Sequence, residues 1–388
     1  MALKRHLFIQ RRLAAGLTQE ALAENLGVDR STIVRWEAGK GSPQPWMRPR
    51  LATQLQVTAD ELHDLLTATG QAESLHTQRR EHALRQPART DLATAGVLRD
   101  DFEHLASRYD HAPSAGLLAE AGQHLTEIGA IAAGARGGRV QRAMRTLQAD
   151  ASTLMGQLIW DASQRRDHAT TRIYYSQSVS VARHLQDRAL ESHALLRTCY
   201  VALYGAHDPR NGLTLARQAA EIARPVSRAL TGLATLHAAE AHAMLGEATE
   251  CESSLGRAEH HLEHTDPADI AAELVSPTQF GRLAGSCYLS LGQHERAEKT
   301  LMSTAAQLRD RRKSRAIVLG NLTLAYIRQG EVDAAVSALG TAIDELEETR
   351  GGGGMNIVFG AARELRPWRT QPAVADVHDR LLDLIATP

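Results

Sequence analysis

The stretch LTQEALAENLGVDRSTIVRWEAGK, residues 17–40, predicts two short helices joined by a tight turn. Thr18 and Asp29 stand at the two helix starts, where their side-chain oxygens can accept hydrogen bonds from free backbone N–H groups. Gly27 and Gly39 follow the two helices, at positions where the chain can take a positive φ. Two helices this short cannot bury both of their faces alone, so we expect them to pack within a small helical bundle.

The second of these helices divides into an apolar and a polar side. The apolar side, which we expect to be buried, consists of Leu26, Val28, Ile33 and Trp36. The polar side lies near the N-terminal end of the helix and consists of Arg30, Ser31, Thr32 and Arg35. A helix laid in the major groove of DNA presents this region to base edges. Arginine can donate two hydrogen bonds to guanine, and serine or threonine can contact bases or phosphate, so this side is the candidate DNA-binding face.

Three strings of the sequence resemble the phage-repressor-like (xenobiotic-response-element, XRE) helix-turn-helix family: TQEALAENLG, VDRSTIVRWEAGKGSP and LATQLQVTADELHDLL. The resemblance covers about the first sixty-six residues. It implies an internal bridge between Arg12 and Glu37. It also implies that Arg30, Ser31 and Arg35 contact DNA bases. Gln19 and Lys40 would contact the DNA backbone. The alternative, a plain amphipathic hairpin, leaves the joint occurrence of caps, glycines and the WEAGK ending unexplained.

Further signals extend the prediction to a repressor-like bundle of five helices. A first helix is predicted over residues 3–15, before the helix pair. Pro49 suits the first turn of a fourth helix. Thr58 and Glu61 have the spacing of a capping box, which predicts a fifth helix that ends near Leu66.

Length and composition indicate an all-α protein with several parts. The 388 residues are enough for two or three domains, and aromatic residues make up only 4% of them, which favours helices over sheets. The predicted parts are a DNA-binding domain over 1–66, a linker over 67–96 with a possible helical stretch near Leu75–Leu84, and a repeat domain over 97–388. Because the net charge is −1, DNA binding must depend on a local basic surface.

An internal repeat is visible in the last part of the chain when three segments are aligned on a shared glycine. The segments are 237–258 with Gly246, 283–304 with Gly292 and 321–342 with Gly330. Small residues follow each glycine five and twelve positions later: Cys251, Ala297 and Ala335, then Ala258, Thr304 and Ala342. This pattern resembles the tetratricopeptide repeat, a unit of two antiparallel helices that stacks into an α-solenoid. Gly351–Gly354 is predicted to be a flexible break before closing helices.

A solenoid of helical hairpins has a concave groove that can bind a partner. The repeat alignment places four candidate ligand contacts on this groove: His237, Glu240, Ser286 and Asn321. Asn321 stands where tetratricopeptide repeats often place an asparagine that bonds a peptide backbone. For each of the four, an ordinary packing role is an equal alternative.

Sequence patterns typical of enzymes, metal centres and membrane proteins are missing. His260 and His264 have helical spacing but lack the HEXXH order of a zinc site, so a solvated helix face is the commoner explanation. No nucleophile elbow, phosphate-binding loop or kinase signature occurs, so we expect neither an enzyme nor a cofactor. The cysteines lack CxxC spacing, the N-terminus does not resemble a signal peptide, and no apolar run approaches a membrane span. These features predict a cytoplasmic protein.

The combined layout resembles the peptide-pheromone-responsive regulators of Gram-positive bacteria and a group of actinobacterial regulators. This resemblance implies a homodimer, joined through the repeat domain, that binds a DNA operator with two half-sites. It also implies a peptide or small-molecule effector in the groove that changes the spacing of the two DNA readers. Two alternatives stay open: an adaptor whose repeats hold a protein partner, and a dimeric repressor that responds to no ligand.

Overall fold

Helices joined by short turns build both units of the chain, which divide between Gln86 and Pro87. The computed structural model describes residues 6–309 and 311–386, and no β-strand occurs within these ranges. The all-α fold predicted from the sequence is therefore confirmed. We call residues 1–86 the N-terminal unit and residues 87–388 the repeat unit.

The N-terminal unit is the predicted bundle of five helices. They are α1 (His6–Ala14), α2 (Gln19–Leu26), α3 (Arg30–Glu37), α4 (Arg48–Leu55) and α5 (Ala59–Arg85). One apolar cluster fills the space between them, and its fully buried members include Phe8, Leu22, Ile33, Leu51 and Leu55. The first residues of the helix predicted over 3–15 lie outside the described residues.

The helix ends of this bundle are set by the side chains that the sequence indicates. Thr18 Oγ1 accepts a hydrogen bond from the Ala21 backbone N–H at 3.0 Å, and Asp29 Oδ1 accepts one from Ser31 at 2.7 Å. Gly27 has a φ of 70°, which ends α2 and turns the chain into α3. Local chemistry alone therefore accounts for the position of α2 and α3 along the chain.

The predicted linker over residues 67–96 is helical over more of its length than the predicted stretch near Leu75–Leu84. Helix α5 was expected to end near Leu66, but it continues to Arg85. Residues 67–85 contain no proline, and most of their side chains favour helices, so nothing stops α5 once its capping box has started it. Pro87 ends it, because proline disfavours helical geometry in the residue before it, and Gln86 has a φ of −135°.

The repeat unit begins at Pro87 and contains the remaining helices. They are α6 (Leu92–Ser107), α7 (Ser114–Gly134), α8 (Gly138–Ala162), α9 (His168–His184), α10 (Arg188–Tyr200), α11 (Pro209–Ala223), α12 (Arg228–Met244), α13 (Ala248–Glu263), α14 (Gln279–Ser290), α15 (His294–Gln307), α16 (Arg312–Gln329), α17 (Val332–Thr349), α18 (Gly352–Glu364) and α19 (Pro372–Ala386). From α8 on they form antiparallel hairpins. The first helices of the hairpins make an inner row, and the second helices make an outer row.

The three aligned sequence repeats are the hairpins α12–α13, α14–α15 and α16–α17. Their glycines, Gly246, Gly292 and Gly330, lie in the turns with φ values of 75°, 74° and 80°. The small residues that follow five positions later, Cys251, Ala297 and Ala335, have no exposed surface. A larger side chain there would push the two helices of each hairpin apart, so the repeat pattern is a packing requirement.

Gly351–Gly354 is a buried helix start, not the flexible break that the sequence suggested. Gly352 donates its backbone N–H to Asp161 Oδ1 at 2.7 Å, and a Cβ atom at Gly352 would lie 2.3 Å from the Asp161 carbonyl oxygen. Only glycine allows the start of α18 to come this close to the end of α8. The first and last helices of the inner row are thus in contact, and the inner row closes around a cavity.

Candidate DNA-binding surface and interior cavity

The polar side of α3 is exposed, as the sequence predicts. Arg30, Ser31 and Arg35 are exposed, and Thr32 is half-buried. On the opposite side, Ile33 and Trp36 are buried in the core of the bundle. The remaining predicted DNA contacts are Lys40, exposed just beyond the end of α3, and Gln19, half-buried at the start of α2. Their binding to DNA stays a prediction.

A buried ion pair supports this surface from behind. Arg12 Nε donates to Glu37 Oε1 at 2.6 Å, and both side chains are 7% exposed. The second oxygen of Glu37 accepts a hydrogen bond from the side-chain amide of Gln19. The bridge implied by the family resemblance is therefore present, and it fixes the orientation of Gln19 at the first turn of α2.

The two arginines of α3 differ in their partners. Arg30 forms an ion pair with the exposed Glu20 at 2.5 Å and donates to Gln19 Oε1 at 3.2 Å. A backbone hydrogen bond and the Arg30 charge hold the pKa of Glu20 below its usual value. Arg35 has no ion-pair partner in the described parts of the chain. Arg30 must exchange partners before it contacts a base, whereas Arg35 can do so directly.

An interior cavity of about 470 Å³ lies inside the repeat unit, lined by residues of the inner helices and their turns. The four ligand contacts predicted from the sequence, His237, Glu240, Ser286 and Asn321, all line it. A volume of this size suits a drug-sized molecule. The structure thus brings the four residues together, while their role in binding stays a prediction.

Glu240 is the centre of a hydrogen-bond network at one side of this cavity. Ser286 Oγ donates to Glu240 Oε1 at 3.0 Å, and the Tyr204 hydroxyl donates to Oε2. His237 Nδ1 lies 3.4 Å from the same carboxylate and 2.9 Å from the Tyr204 oxygen. Burial raises the pKa of Glu240, but the hydrogen bonds from His237, Tyr204 and Ser286 outweigh it and hold the pKa below the usual value. Glu240 is therefore a satisfied carboxylate that positions its neighbours.

Asn321 lies on α16 and has a different environment. It is 9% exposed and its side-chain amide makes no hydrogen bond within residues 6–309 and 311–386. Buried amides nearly always have partners, so this one is available to a bound molecule.

Cations and aromatic rings that no sequence pattern indicates also line the cavity. Arg165 Cζ lies 4.7 Å from the ring centroid of Trp160, and Arg197 Cζ lies 5.5 Å from that of Tyr200. Arg282 also lines the cavity, from α14. No motif marks these residues, because they come from separate hairpins and have no common spacing.

Lys313 at the start of α16 and Asp161 at the end of α8 form an ion pair next to this cavity. Lys313 Nζ lies 3.1 Å from Asp161 Oδ2, and their side chains are 6% and 7% exposed. The Ser114 hydroxyl donates to the same carboxylate oxygen at 2.7 Å, and Gly352 occupies the other. This pair links residues 152 positions apart in the sequence.

His193 is expected to make the stability of the repeat unit depend on pH. Burial, with the nearby charge of Arg197, lowers the pKa of His193 to about 3. In the unfolded chain histidine has a pKa of about 6.5, so it is protonated there at a higher pH than in the folded chain. The folded state therefore loses stability as the pH falls below about 6.5. Between pH 7 and pH 5 the loss from this residue is on the order of 1–2 kcal/mol. Urea unfolding at both pH values measures it.

His193→Gln tests this prediction, because glutamine keeps a polar side chain but does not titrate. We expect the variant to lose less stability than the wild type between pH 7 and pH 5. His260→Gln, on the exposed part of α13, is the matched control. Its free energy of unfolding should change between pH 7 and pH 5 as much as that of the wild type. An equal change in the free energy of unfolding between pH 7 and pH 5 in wild type and His193→Gln would contradict the prediction.

Neither metal sites nor membrane segments are found in the part of the chain that the structure describes. No group of three or more His, Cys, Asp or Glu residues there has the arrangement of a metal site. The rings of His260, on α13, and His264, just beyond its end, lie 4.5 Å apart, as their spacing predicts. No helix in the same part of the chain is long and apolar enough to cross a membrane.

The comparison with known proteins agrees with the geometry of the N-terminal unit. The helix-turn-helix family model HTH_3 matches residues 9–62. A crystal structure of Bacillus thuringiensis PlcR, in complex with the peptide PapR7 and DNA, is similar with a TM-score of 0.29 and 14% identity, over 84% of this chain and 97% of that chain. No curated protein matches the sequence. Residues 9–62, which contain α2, the turn at Gly27 and α3, are therefore a helix-turn-helix domain of the XRE type.

Proposed function

We propose that this protein regulates transcription by binding a specific DNA operator through α3 and by sensing a small ligand in its repeat unit. The observation that supports DNA reading is the exposed face of α3, with Arg35 free of ion pairs within the described residues. Arg12, Glu37 and Gln19 hold the start of α2 in place beside it. An arginine at this position can donate two hydrogen bonds to a guanine edge.

Affinity for DNA is expected to require two copies of the chain. Residues 1–66 carry nine basic and seven acidic residues, a net charge of only +2. Since non-specific affinity grows with the number of phosphates that a protein neutralises, one N-terminal unit alone binds weakly. Two copies on half-sites about one helical turn apart would supply the remaining affinity. We therefore propose a homodimer, joined through the repeat unit.

The interior cavity is the proposed sensor. Ligand contacts in it come from His237, Ser286 and Asn321, and Glu240 holds the first two in place. These residues lie on three different hairpins, so a bound molecule would change how the hairpins pack. Altered packing in a dimer joined through this unit would alter the distance between the two copies of α3.

Arg35→Ala tests the DNA-reading part of the proposal. We expect the variant to lose about 1–3 kcal/mol of specific binding, because it lacks the base contact, while non-specific binding changes little. The measurement is a titration of the full chain against DNA from its own upstream region and against a scrambled duplex, at two salt concentrations. Arg328→Ala is the matched control, since Arg328 is an exposed arginine of the repeat unit that pairs with Glu364 at 2.8 Å.

Two results would contradict the proposal. One is equal affinity of the wild type for all duplexes, including those selected from a random pool. The other is an Arg35→Ala variant that keeps full discrimination between operator and scrambled DNA. Either result would favour the adaptor alternative, in which the repeat unit binds a protein partner and DNA binding is secondary.

A further inference from the structure

The interior cavity of the repeat unit has more positive than negative side chains, and most of its positive side chains form no ion pair within the described residues. The cations that line it are Arg165, Arg197, Arg282, Arg311 and Lys313, and the acids are Asp110, Asp161, Glu240 and Glu273. Of the five cations, only Lys313 forms an ion pair in the described residues, with Asp161. Arg165, Arg197 and Arg282 are half-buried, so water compensates their charge only in part.

The two buried acids of the cavity are already satisfied by other groups. Asp161 accepts hydrogen bonds from Lys313, Ser114 and the Gly352 backbone. Glu240 accepts from Tyr204 and Ser286 and lies against His237. The other two acids, Asp110 and Glu273, are more exposed and form no ion pair in the described ranges. None of these four acids forms an ion pair with Arg165, Arg197 or Arg282 in the described residues, although the Asp161 charge acts on Arg165 from a longer distance.

The charge of Arg282 reaches Arg165, and the charges of Arg282 and Arg197 both reach His237. The charge of Arg282 opposes protonation of Arg165, whose pKa is lowered chiefly by burial. Arg282 and Arg197 also both lower the pKa of His237, again after burial as the main cause. Like charges held near each other in a partly dry site destabilise the empty protein unless an anion joins them.

Aromatic rings form the walls between these arginines. Arg165 lies over Trp160 and, with Cζ 5.4 Å from the centroid, over Tyr204. The rings of Tyr200 and His237 are in contact, with centroids 4.3 Å apart and planes tilted by 46°. Flat apolar walls of this kind favour a planar or apolar ligand body.

We propose that this cavity binds a small organic anion, with a carboxylate or phosphate held by Arg165, Arg197 and Arg282 and a flat apolar body packed against the tyrosine and tryptophan rings. Planar guanidinium groups bind both kinds of anion with paired hydrogen bonds. The cavity of about 470 Å³ limits the occupant to a small molecule. This inference deepens the proposed sensing function and rests on it, because it names the chemistry of the effector.

The first test uses Arg282→Gln in the full chain, and it does not require the natural ligand. If Arg282 is an uncompensated charge kept for an anion, glutamine should raise the melting temperature of the empty repeat unit by about 2 °C or more. Inorganic phosphate, compared with chloride at matched ionic strength, should raise the melting temperature of the wild type more than that of the variant. Scanning calorimetry measures both shifts.

Arg296→Gln is the matched control, because Arg296 is an exposed arginine of α15 that pairs with Glu252 at 3.0 Å. We expect this variant to keep the wild-type response to phosphate and to show no rise in melting temperature. A lower melting temperature of Arg282→Gln, together with an unchanged phosphate response, would show that Arg282 has a structural role and would overturn the proposal.

The second test compares ligand chemistries directly. Indole-3-acetate, its neutral amide and phenyl phosphate are titrated calorimetrically into the wild type and Arg282→Gln. The proposal requires that at least one anion binds, that the amide binds at least tenfold more weakly, and that the variant loses this difference. A preference for indole-3-acetate identifies a carboxylate ligand, and a preference for phenyl phosphate identifies a phosphate ligand. Equal binding of acid and amide, or binding of none of the three, contradicts the proposal.

Failure of this inference can be separated from failure of the proposed regulatory function. The calorimetric tests involve only the repeat unit, while specific DNA binding depends on Arg35 in the N-terminal unit. A chain that discriminates operator DNA but shows no anion response remains a regulator with a different effector chemistry. If the protein binds anions but no specific DNA, the proposed regulatory function fails and the proposed anion site stands.

Discussion

Replacement of Lys313 by methionine is expected to destabilise the repeat unit by about 3–5 kcal/mol, because it leaves a buried carboxylate without its counter-charge. Lys313 Nζ lies 3.1 Å from Asp161 Oδ2, and both side chains are nearly inaccessible to water. The same carboxylate holds the start of α18 through the Gly352 N–H. Urea unfolding of the full chain, followed by the loss of helix signal, measures the change. We expect the contact between α8 and α18 to open first.

A paired substitution separates charge from packing. Asp161→Asn combined with Lys313→Met removes both charges, while asparagine keeps an oxygen acceptor for Gly352 or Ser114. We expect the double variant to recover most of the stability that Lys313→Met loses, since removal of both charges of a buried pair is often nearly neutral. Additive losses in the two single variants would show that the pair contributes nothing beyond the packing of its side chains.

Replacement of Glu37 by alanine is expected to have the second large effect, in the N-terminal unit. It leaves the Arg12 guanidinium, whose side chain is 7% exposed, without its carboxylate, at a cost of about 3–5 kcal/mol. It also frees Gln19, which Glu37 orients at the start of α2. We therefore expect both a lower unfolding midpoint of this unit and weaker binding to operator DNA. Thermal unfolding and a DNA titration at low temperature measure the two effects.

Glu20→Ala is the matched control for Glu37→Ala. Both residues are glutamates of the same bundle, but Glu20 is exposed and pairs with Arg30 at the surface. Exposed ion pairs contribute little to stability, so we expect the midpoint of Glu20→Ala to stay close to the wild type. DNA binding by this variant should be as strong as in the wild type or stronger, because Arg30 no longer has to break its ion pair with Glu20 to contact DNA. Similar unfolding midpoints for the two variants would contradict the role assigned to the buried pair.

Much of the N-terminal unit follows from local signals in the sequence. The caps at Thr18 and Asp29 and the turn at Gly27 act within a few residues, so they could be recognised without knowledge of the fold. The exposed side of α3 follows from the period of its apolar residues. The length of α5 does not follow from local signals, because the charged and polar side chains after Leu66 suit a linker and a solvated helix equally well.

In the repeat unit, the three aligned hairpins follow from local sequence patterns, whereas the contacts between side chains of distant hairpins depend on how the hairpins pack. Glycines with positive φ and small residues at fixed spacings set each turn and each helix contact, so the repeats could be read directly. The burial of Gly352 against Asp161 could not be read, because the same glycines suit a flexible loop until the end of α8 is placed beside them. The cluster of Arg165, Arg197 and Arg282 likewise arises only when the inner helices close around the cavity. Local conformation is encoded over a few residues, whereas contacts between distant hairpins depend on how the whole solenoid curves.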